Sequence, residues 1–161
     1  MQSRILTLMV SLMLFQSAGF ANDTLPVPAS EIPLYAISLI GTPYKYGGKS
    51  PDTGMDCSGF VGHVFKQTTG TQLPTSARQI SQHGQALQSG ELQPGDLVFF
   101  NTLNRAFSHV GIYLGENRFV HSTSSATAKV MISNMGDNYW SKRFDGARRL
   151  IDPTDNPATA P

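Results

Sequence analysis

The spacing of apolar residues changes halfway along this chain, and that change limits the possible folds more than any other feature. Up to about residue 83, apolar residues recur at intervals of three and four, which is the period of an α-helix. Three helices are predicted: one with an apolar stripe of Leu34, Ile37, Leu39 and Ile40, one from Cys57 to Gly70 with Asp56 as its cap, and one over 75–83.

In the second half, short apolar runs and alternation of apolar with small or polar residues are typical of β-strands. Strands are predicted at 96–100, 109–114, 118–121 and 147–150, whereas 131–140 fits neither pattern. Helices followed by neighbouring strands indicate an α+β domain. We therefore expect N-terminal helices that pack on an antiparallel sheet.

The first 21 residues have the pattern of a secretory signal peptide. Arg4 precedes an apolar run at 5–15, and Gly19 and Ala21 are the small residues expected before a cleavage site. The run is shorter than the roughly 20 residues that a membrane-spanning helix needs. We therefore expect cleavage after Ala21, export to the periplasm or the medium, and no stable membrane anchor in the mature chain.

Both ends of the mature chain are rich in proline and poor in large apolar residues. Segments 22–32 and 152–161 are predicted to be a flexible leader and a disordered tail, which leaves one compact domain at 33–151. The 12 basic and 11 acidic residues nearly balance, so nucleic acid is not expected as a partner. We expect a monomer.

Cys57 is the only cysteine, so no disulfide can form within the chain. It would lie in the first turn of its helix, where free N–H groups and the helix dipole favour an anion and lower the pKa of a thiol. A reactive thiol and a small buried side chain are both compatible with this position.

Two histidines favour the reactive thiol. If residues 115–117 turn a hairpin, His109 and His121 fall on one face of neighbouring strands, within about 5–8 Å of each other. A nucleophile needs a base, and the base needs a third group that fixes its tautomer. Cys57, His109 and His121 can fill these three roles.

Zinc is the alternative use of these three side chains, but structural zinc sites usually have tight cysteine or histidine pairs, which are absent here. No metal is therefore expected. A serine nucleophile is disfavoured because Ser58 has no Gly-x-Ser-x-Gly setting. His63 and His83 are expected to be exposed helix residues.

The chain resembles the NlpC/P60 family of cell-wall cysteine peptidases, whose fold is papain-like. The resemblance rests on four segments that occur in the family's order: GTPYKYGG at 41–48, MDCSGFV at 55–61, LQPGDLVFF at 92–100, and SHVGIYL at 108–114 with FVH at 119–121.

The resemblance implies a role for each matching residue. Cys57 corresponds to the nucleophile, His109 to the base and His121 to the third polar residue. The residues expected to line the substrate cleft are Tyr44, Asp56 and Ser58. No cofactor is implied.

These expectations combine into a hydrolase that opens amide bonds of peptidoglycan stem peptides or cross-links through a thioacyl-enzyme. Peptidoglycan peptides would be its substrate. An amidase or acyltransferase could use the same thiol and histidines, and a non-catalytic wall-binding protein could keep the fold without turnover.

Overall fold

The structure, a computed structural model, describes residues 31–150 of the 161-residue chain. The signal peptide, most of the leader and the tail predicted above lie outside these residues. Glu31 and Ile32, the last two residues assigned to the leader, belong to the first helix, and Ile32 is buried.

Helices and strands follow one another largely in the predicted order. The elements are α1 (Glu31–Ser38), β1 (Lys49–Ser50), β2 (Gly54–Met55), α2 (Cys57–Thr69), α3 (Ala77–Ile80), β3 (Gln85–Leu87), a 3₁₀ turn (Ser89–Glu91), β4 (Leu97–Phe100), β5 (His109–Gly115), β6 (Arg118–Ser122), β7 (Val130–Asn134), α4 (Asn138–Ser141) and β8 (Phe144–Arg149). Strands β3-β8-β4-β5-β6-β7 form one sheet whose neighbours are all antiparallel, and β1 and β2 form a separate ribbon. This arrangement confirms the α+β prediction.

Helix α2 begins and ends as its sequence predicts. The carboxylate of Asp56 accepts a hydrogen bond from the N–H of Gly59, which would otherwise lack a helical partner. Gly70 ends the helix at a φ of 73°, a conformation that glycine adopts without steric cost. The buried face of α2, which includes Phe60, Val61 and Val64, packs on β5 and β6.

Helix α1 forms, but the predicted apolar stripe is wrong. Leu34 and Ile37 are 67% and 40% exposed, whereas Ile32 and Ala36 are buried. In this short helix, Ile32 and Ala36 lie four residues apart and Leu34 and Ile37 three apart, so both pairs have helical spacing. The spacing alone therefore does not identify which face is buried. The small Ala36 side chain lies on the buried side in the contact with α2.

The second half confirms the strand pattern and adds to it. Residues 131–140, which fitted neither pattern, contain most of β7 and the single turn α4. Strand β3 was missed, and the helix predicted over 75–83 is shortened to α3, which leaves His83 exposed in a bend. No helix within residues 31–150 is long and apolar enough to cross a membrane.

Candidate active site

All six residues predicted for the site line one cleft of about 860 Å³. Its walls come from the start of α2, the start of β5, strands β6 and β7, and α4. The six residues are Tyr44, Asp56, Cys57, Ser58, His109 and His121. Residues far apart in the sequence are therefore brought to a single opening.

Cys57 is the first residue of α2, and its sulfur accepts hydrogen bonds from backbone N–H groups, including those of Val110 and Ser58. These contacts favour the thiolate, as expected for a helix start. Burial outweighs them and, with the nearby carboxylate of Asp56, raises the pKa of the Cys57 thiol to about 11. The expected lowering of the thiol pKa is therefore wrong.

The two histidines meet as the hairpin pattern predicted. Nε2 of His109 lies 2.8 Å from Nδ1 of His121, and the ring centroids are 4.9 Å apart. The turn that aligns them has positive φ at both Glu116 and Asn117, as in a type I′ hairpin. Strands β5 and β6 pair Ile112 with Val120, so His121 lies opposite Gly111 and diagonal to His109.

Gly111 leaves the space through which the His121 side chain reaches His109. A Cβ atom at this position would lie 2.7 Å from the Phe119 ring, 2.9 Å from the Val120 carbonyl oxygen and 3.2 Å from Cβ of His121. Any other residue would press on the strand that carries His121. Glycine, which normally weakens a strand, is needed here for close approach.

Ser133 extends the histidine pair and was not found from the sequence. Its Oγ lies 2.9 Å from Nε2 of His121. Strand β7 pairs Met131 with His121, so Ser133 lies two residues further along the same face. A strand prediction at 130–134 would have pointed to Ser133, but the sequence pattern of this segment did not distinguish a strand from a helix.

This chain of contacts defines the tautomers that a base at His109 requires. For Nδ1 of His109 to accept a proton, its other nitrogen must carry one and donate it to Nδ1 of His121. His121 then carries its proton on Nε2 and donates it to the hydroxyl of Ser133. Within residues 31–150, Nδ1 of His109 makes no hydrogen bond and so is left for the cleft.

Trp140 covers both imidazoles and was likewise missed. Its ring stacks on His109 at 5.6 Å between centroids and meets His121 edge-on at 5.0 Å. Burial lowers the pKa of His109 to about 4. Burial, together with the neighbouring His109, lowers that of His121 to about 2. Both rings are therefore neutral at neutral pH, like the thiol.

The side chains of Asp56 and Ser58 form hydrogen bonds around the start of α2. One carboxylate oxygen of Asp56 accepts from the N–H of Gly59, and the other accepts from the N–H of Gly47 at 2.9 Å. The hydroxyl of Ser58 lies 3.0 Å from both Asp56 Oδ1 and the carbonyl oxygen of Thr75. The carboxylate is thus held in place by three donors.

Tyr44 lines the same cleft as the Cys57 thiol. The tyrosine hydroxyl hydrogen-bonds to Ser124, and its pKa is raised by burial and by its proximity to Cys57 and Asp56. The hydroxyl therefore stays protonated at neutral pH and can donate a hydrogen bond into the cleft.

The other histidines lie outside the cleft. His63 stacks on Tyr35, with its Nε2 3.1 Å from the Tyr35 hydroxyl, and is half-buried, so its predicted exposure is wrong. The tyrosine covers it because α1 packs against α2. No three histidine, cysteine, aspartate or glutamate side chains of residues 31–150 group closely enough to hold a metal ion.

Comparisons with known proteins agree on one family. The model of the NlpC/P60 family matches residues 41–149. The chain is 43% identical over 126 residues to the gamma-DL-glutamyl hydrolase of Bacillus subtilis (strain 168), covering 76% of this chain and 30% of that protein. It is 41% identical over 111 residues to the murein DD-endopeptidase MepS/murein LD-carboxypeptidase of Escherichia coli (strain K12), and this match covers 69% of this chain and 57% of that protein.

A solved structure has the same fold. The crystal structure of an NlpC/P60 family protein from Bacillus cereus ATCC 10987 superimposes with a TM-score of 0.71 at 31% identity, covering 80% of this chain and 42% of that one. The chain thus spans less than two thirds of the length of each of these three proteins.

Proposed function

Because the chain belongs to the NlpC/P60 family, we propose that it is an exported cysteine endopeptidase that hydrolyses amide bonds in peptidoglycan stem peptides or cross-links. The observation that carries the proposal is the cleft, in which one thiol lies with a histidine pair whose outer nitrogen is anchored by Ser133. The names of the two relatives, a glutamyl hydrolase and a murein endopeptidase, support a peptide substrate of this kind.

The first half of the reaction forms a thioester. Since the thiol and His109 are both neutral, the Cys57 proton passes to Nδ1 of His109 as sulfur attacks the carbonyl carbon. The carbonyl oxygen becomes an oxyanion that the N–H of Cys57 and the hydroxyl of Tyr44 can stabilise. When the carbon–nitrogen bond breaks, His109 gives its proton to the leaving amine.

The second half releases the enzyme. His109, neutral again, takes a proton from a water molecule, whose oxygen attacks the thioester carbon. The carbon–sulfur bond breaks and the proton returns to sulfur. An amidase would follow the same steps on a different bond, and an acyltransferase would replace water with an amine.

During both halves His109 carries a transient positive charge next to His121. The hydrogen bond from its Nε2–H to His121 keeps the imidazolium oriented, and the face of Trp140 lies against it. Charge on the ring is thus tolerated during the reaction although burial disfavours it at rest.

Digestion of purified peptidoglycan tests the proposal. Wild type and Cys57→Ala would be compared by chromatography and mass spectrometry of the released fragments. New amine and carboxyl ends within stem peptides, made by the wild type alone, are expected. Identical fragment profiles from the two proteins would reject the peptidase and favour the wall-binding alternative.

A further inference from the structure

Trp140, the only tryptophan of the chain, lies in a cluster of rings that includes both site histidines. It belongs to the connection 135–143, which leads from β7, at one edge of the sheet, to β8, with three strands between them. The indole contacts rings on all three of these strands, at 4.9 to 5.6 Å between centroids: Phe100 of β4, His109 of β5, and Phe119 and His121 of β6. One side chain therefore joins the connection to every strand that it crosses.

Helix α4, which carries Trp140, has few other attachments. It is a single turn without a fully buried residue, and the side chain of its cap, Asp137, makes no capping hydrogen bond. Arg143 holds the end of the turn, since its Nη1 donates to the carbonyl oxygen of Tyr139 at 3.0 Å and its guanidinium lies 3.9 Å from the centre of the Tyr139 ring. The carbonyl oxygen of Arg143 accepts from the N–H of Asn101 at 2.8 Å, directly after β4. The indole is thus held in place beside the histidines.

The plane of the His109 ring needs a restraint of this kind. Among the described residues its side chain makes one hydrogen bond, from Nε2 to Nδ1 of His121. Nε2 lies closer than Nδ1 to the axis about which χ2 turns the ring, so a bond at Nε2 restrains this soft torsion only weakly. Nδ1, the nitrogen that has to face the thiol, moves furthest when the ring turns.

We propose that Trp140 is a positioning residue for the base, because its stacked ring sets the plane of His109 and so aims Nδ1 at the Cys57 thiol. The planes of the two rings differ by 28°, and rotation of the imidazole about χ2 would break this stacking. The inference rests on the proposed function and extends it from the thiol and the histidine pair to the connection 135–143.

Kinetics on a stem peptide that the wild type cleaves test the positioning role. Trp140→Leu keeps an apolar side chain but loses the ring face, so kcat should fall by about tenfold while KM stays within about twofold of the wild type. Trp140→Phe keeps a ring and should retain most of the activity. Phe144→Leu is the matched control, because Phe144 packs on Phe100 in the same cluster, at 6.0 Å, and within residues 31–150 makes no ring contact with either histidine. It should lower the Tm and leave kcat unchanged.

The fluorescence of the single tryptophan tests the ring contact without catalysis. A protonated imidazole quenches the emission of an indole stacked on it, so the emission should fall as pH decreases through the His109 pKa of about 4. The step should be absent in His109→Gln and present in His83→Gln, which alters an exposed histidine outside the cleft. A step that persists in His109→Gln overturns the contact, and so does a wild type without one.

The two measurements separate this inference from the proposed function. A kcat for Trp140→Leu equal to that of the wild type, or an equal loss in Phe144→Leu, overturns the positioning role and leaves the peptidase in place. A His109-dependent fluorescence step without cleavage by the wild type supports the ring contact and overturns the peptidase.

Discussion

Nε2 of His109 and Nδ1 of His121 lie 2.8 Å apart, so the two rings share one proton between them. The position of that proton depends on the next contact, in which Nε2 of His121 lies 2.9 Å from the hydroxyl of Ser133, a group that can accept a hydrogen bond from it. A donor on His121 Nε2 leaves its Nδ1 as an acceptor, and this in turn keeps Nδ1 of His109 unprotonated. A half-exposed serine on β7 thereby influences the nitrogen that faces the cleft.

Ser133→Ala should lower kcat by roughly tenfold, because losing one hydrogen bond lets His121 adopt the tautomer that leaves His109 wrongly protonated. Ser133→Thr keeps the hydroxyl and suits a strand, so it should retain most of the activity. Thermal unfolding would be measured for both, since a half-exposed serine should contribute little to stability. Equal kcat values for the alanine variant and the wild type would contradict the role of Ser133.

Replacing Cys57 with alanine should abolish turnover and leave the fold intact, because it removes the nucleophile and little volume. We expect kcat to fall by at least about a thousandfold with Tm nearly unchanged. An alkylating reagent should label one site and stop the reaction, whereas a chelator should have no effect. Loss of activity with chelator while the thiol stays unlabelled would instead indicate zinc.

The ionisation of the thiol and of His109 gives a pH profile that a preformed ion pair would not. Since burial places the pKa of His109 at about 4 and that of Cys57 at about 11, kcat/KM should rise as pH increases through 4 and stay level across neutral pH. The ultraviolet absorbance of a thiolate, measured as the difference between wild type and Cys57→Ala, should be absent at neutral pH. A clear thiolate signal there would mean that the resting enzyme holds an ion pair.

Gly111 and Gly62 are a matched pair for testing the close approach of β5 and β6. Gly62→Ala, in the interior of α2 with no atom within 4 Å of the new Cβ apart from its chain neighbours and the backbone of its own helix, should raise the free energy of unfolding by about 0.5–1 kcal/mol. Gly111→Ala should lower it by about 1–3 kcal/mol, because its Cβ would press on Phe119 and on the backbone of β6. Chemical denaturation measures both, and a Gly111→Ala protein as stable as wild type would contradict the packing.

The sequence predicted those parts of the site that depend on local signals. Asp56, Cys57 and Gly70 mark the two ends of one helix, and the turn at 115–117 aligns His109 with His121. Ser133 depends instead on the register of β6 with β7, whose connection at 123–129 has no turn motif that fixes it. The thiol pKa could not be predicted either, because burial by the rest of the fold outweighs the local effect of the helix start.

Asp56 caps α2 and also lines the cleft, where its carboxylate can pair with a free amine of the stem peptide. Asparagine caps a helix without carrying charge, so the cap alone would lead us to expect that Asp56→Asn separates the two roles. The structure changes that expectation, since the second carboxylate oxygen accepts from the N–H of Gly47. In Asp56→Asn an amide NH₂ must face either that N–H or the N–H of Gly59, and one donor is left unsatisfied.

We therefore expect Asp56→Asn and Asp56→Ala each to lower the free energy of unfolding, by about 1–3 kcal/mol. If the carboxylate also binds substrate, both variants should lose more kcat/KM on a stem peptide with a free N-terminal amine than on its N-acetylated form, measured below the Tm of each variant. The charge contributes to recognition only if the wild type prefers the free amine and the variants do not. A wild type that cleaves both peptides equally well would restrict Asp56 to holding Cys57 at the start of α2.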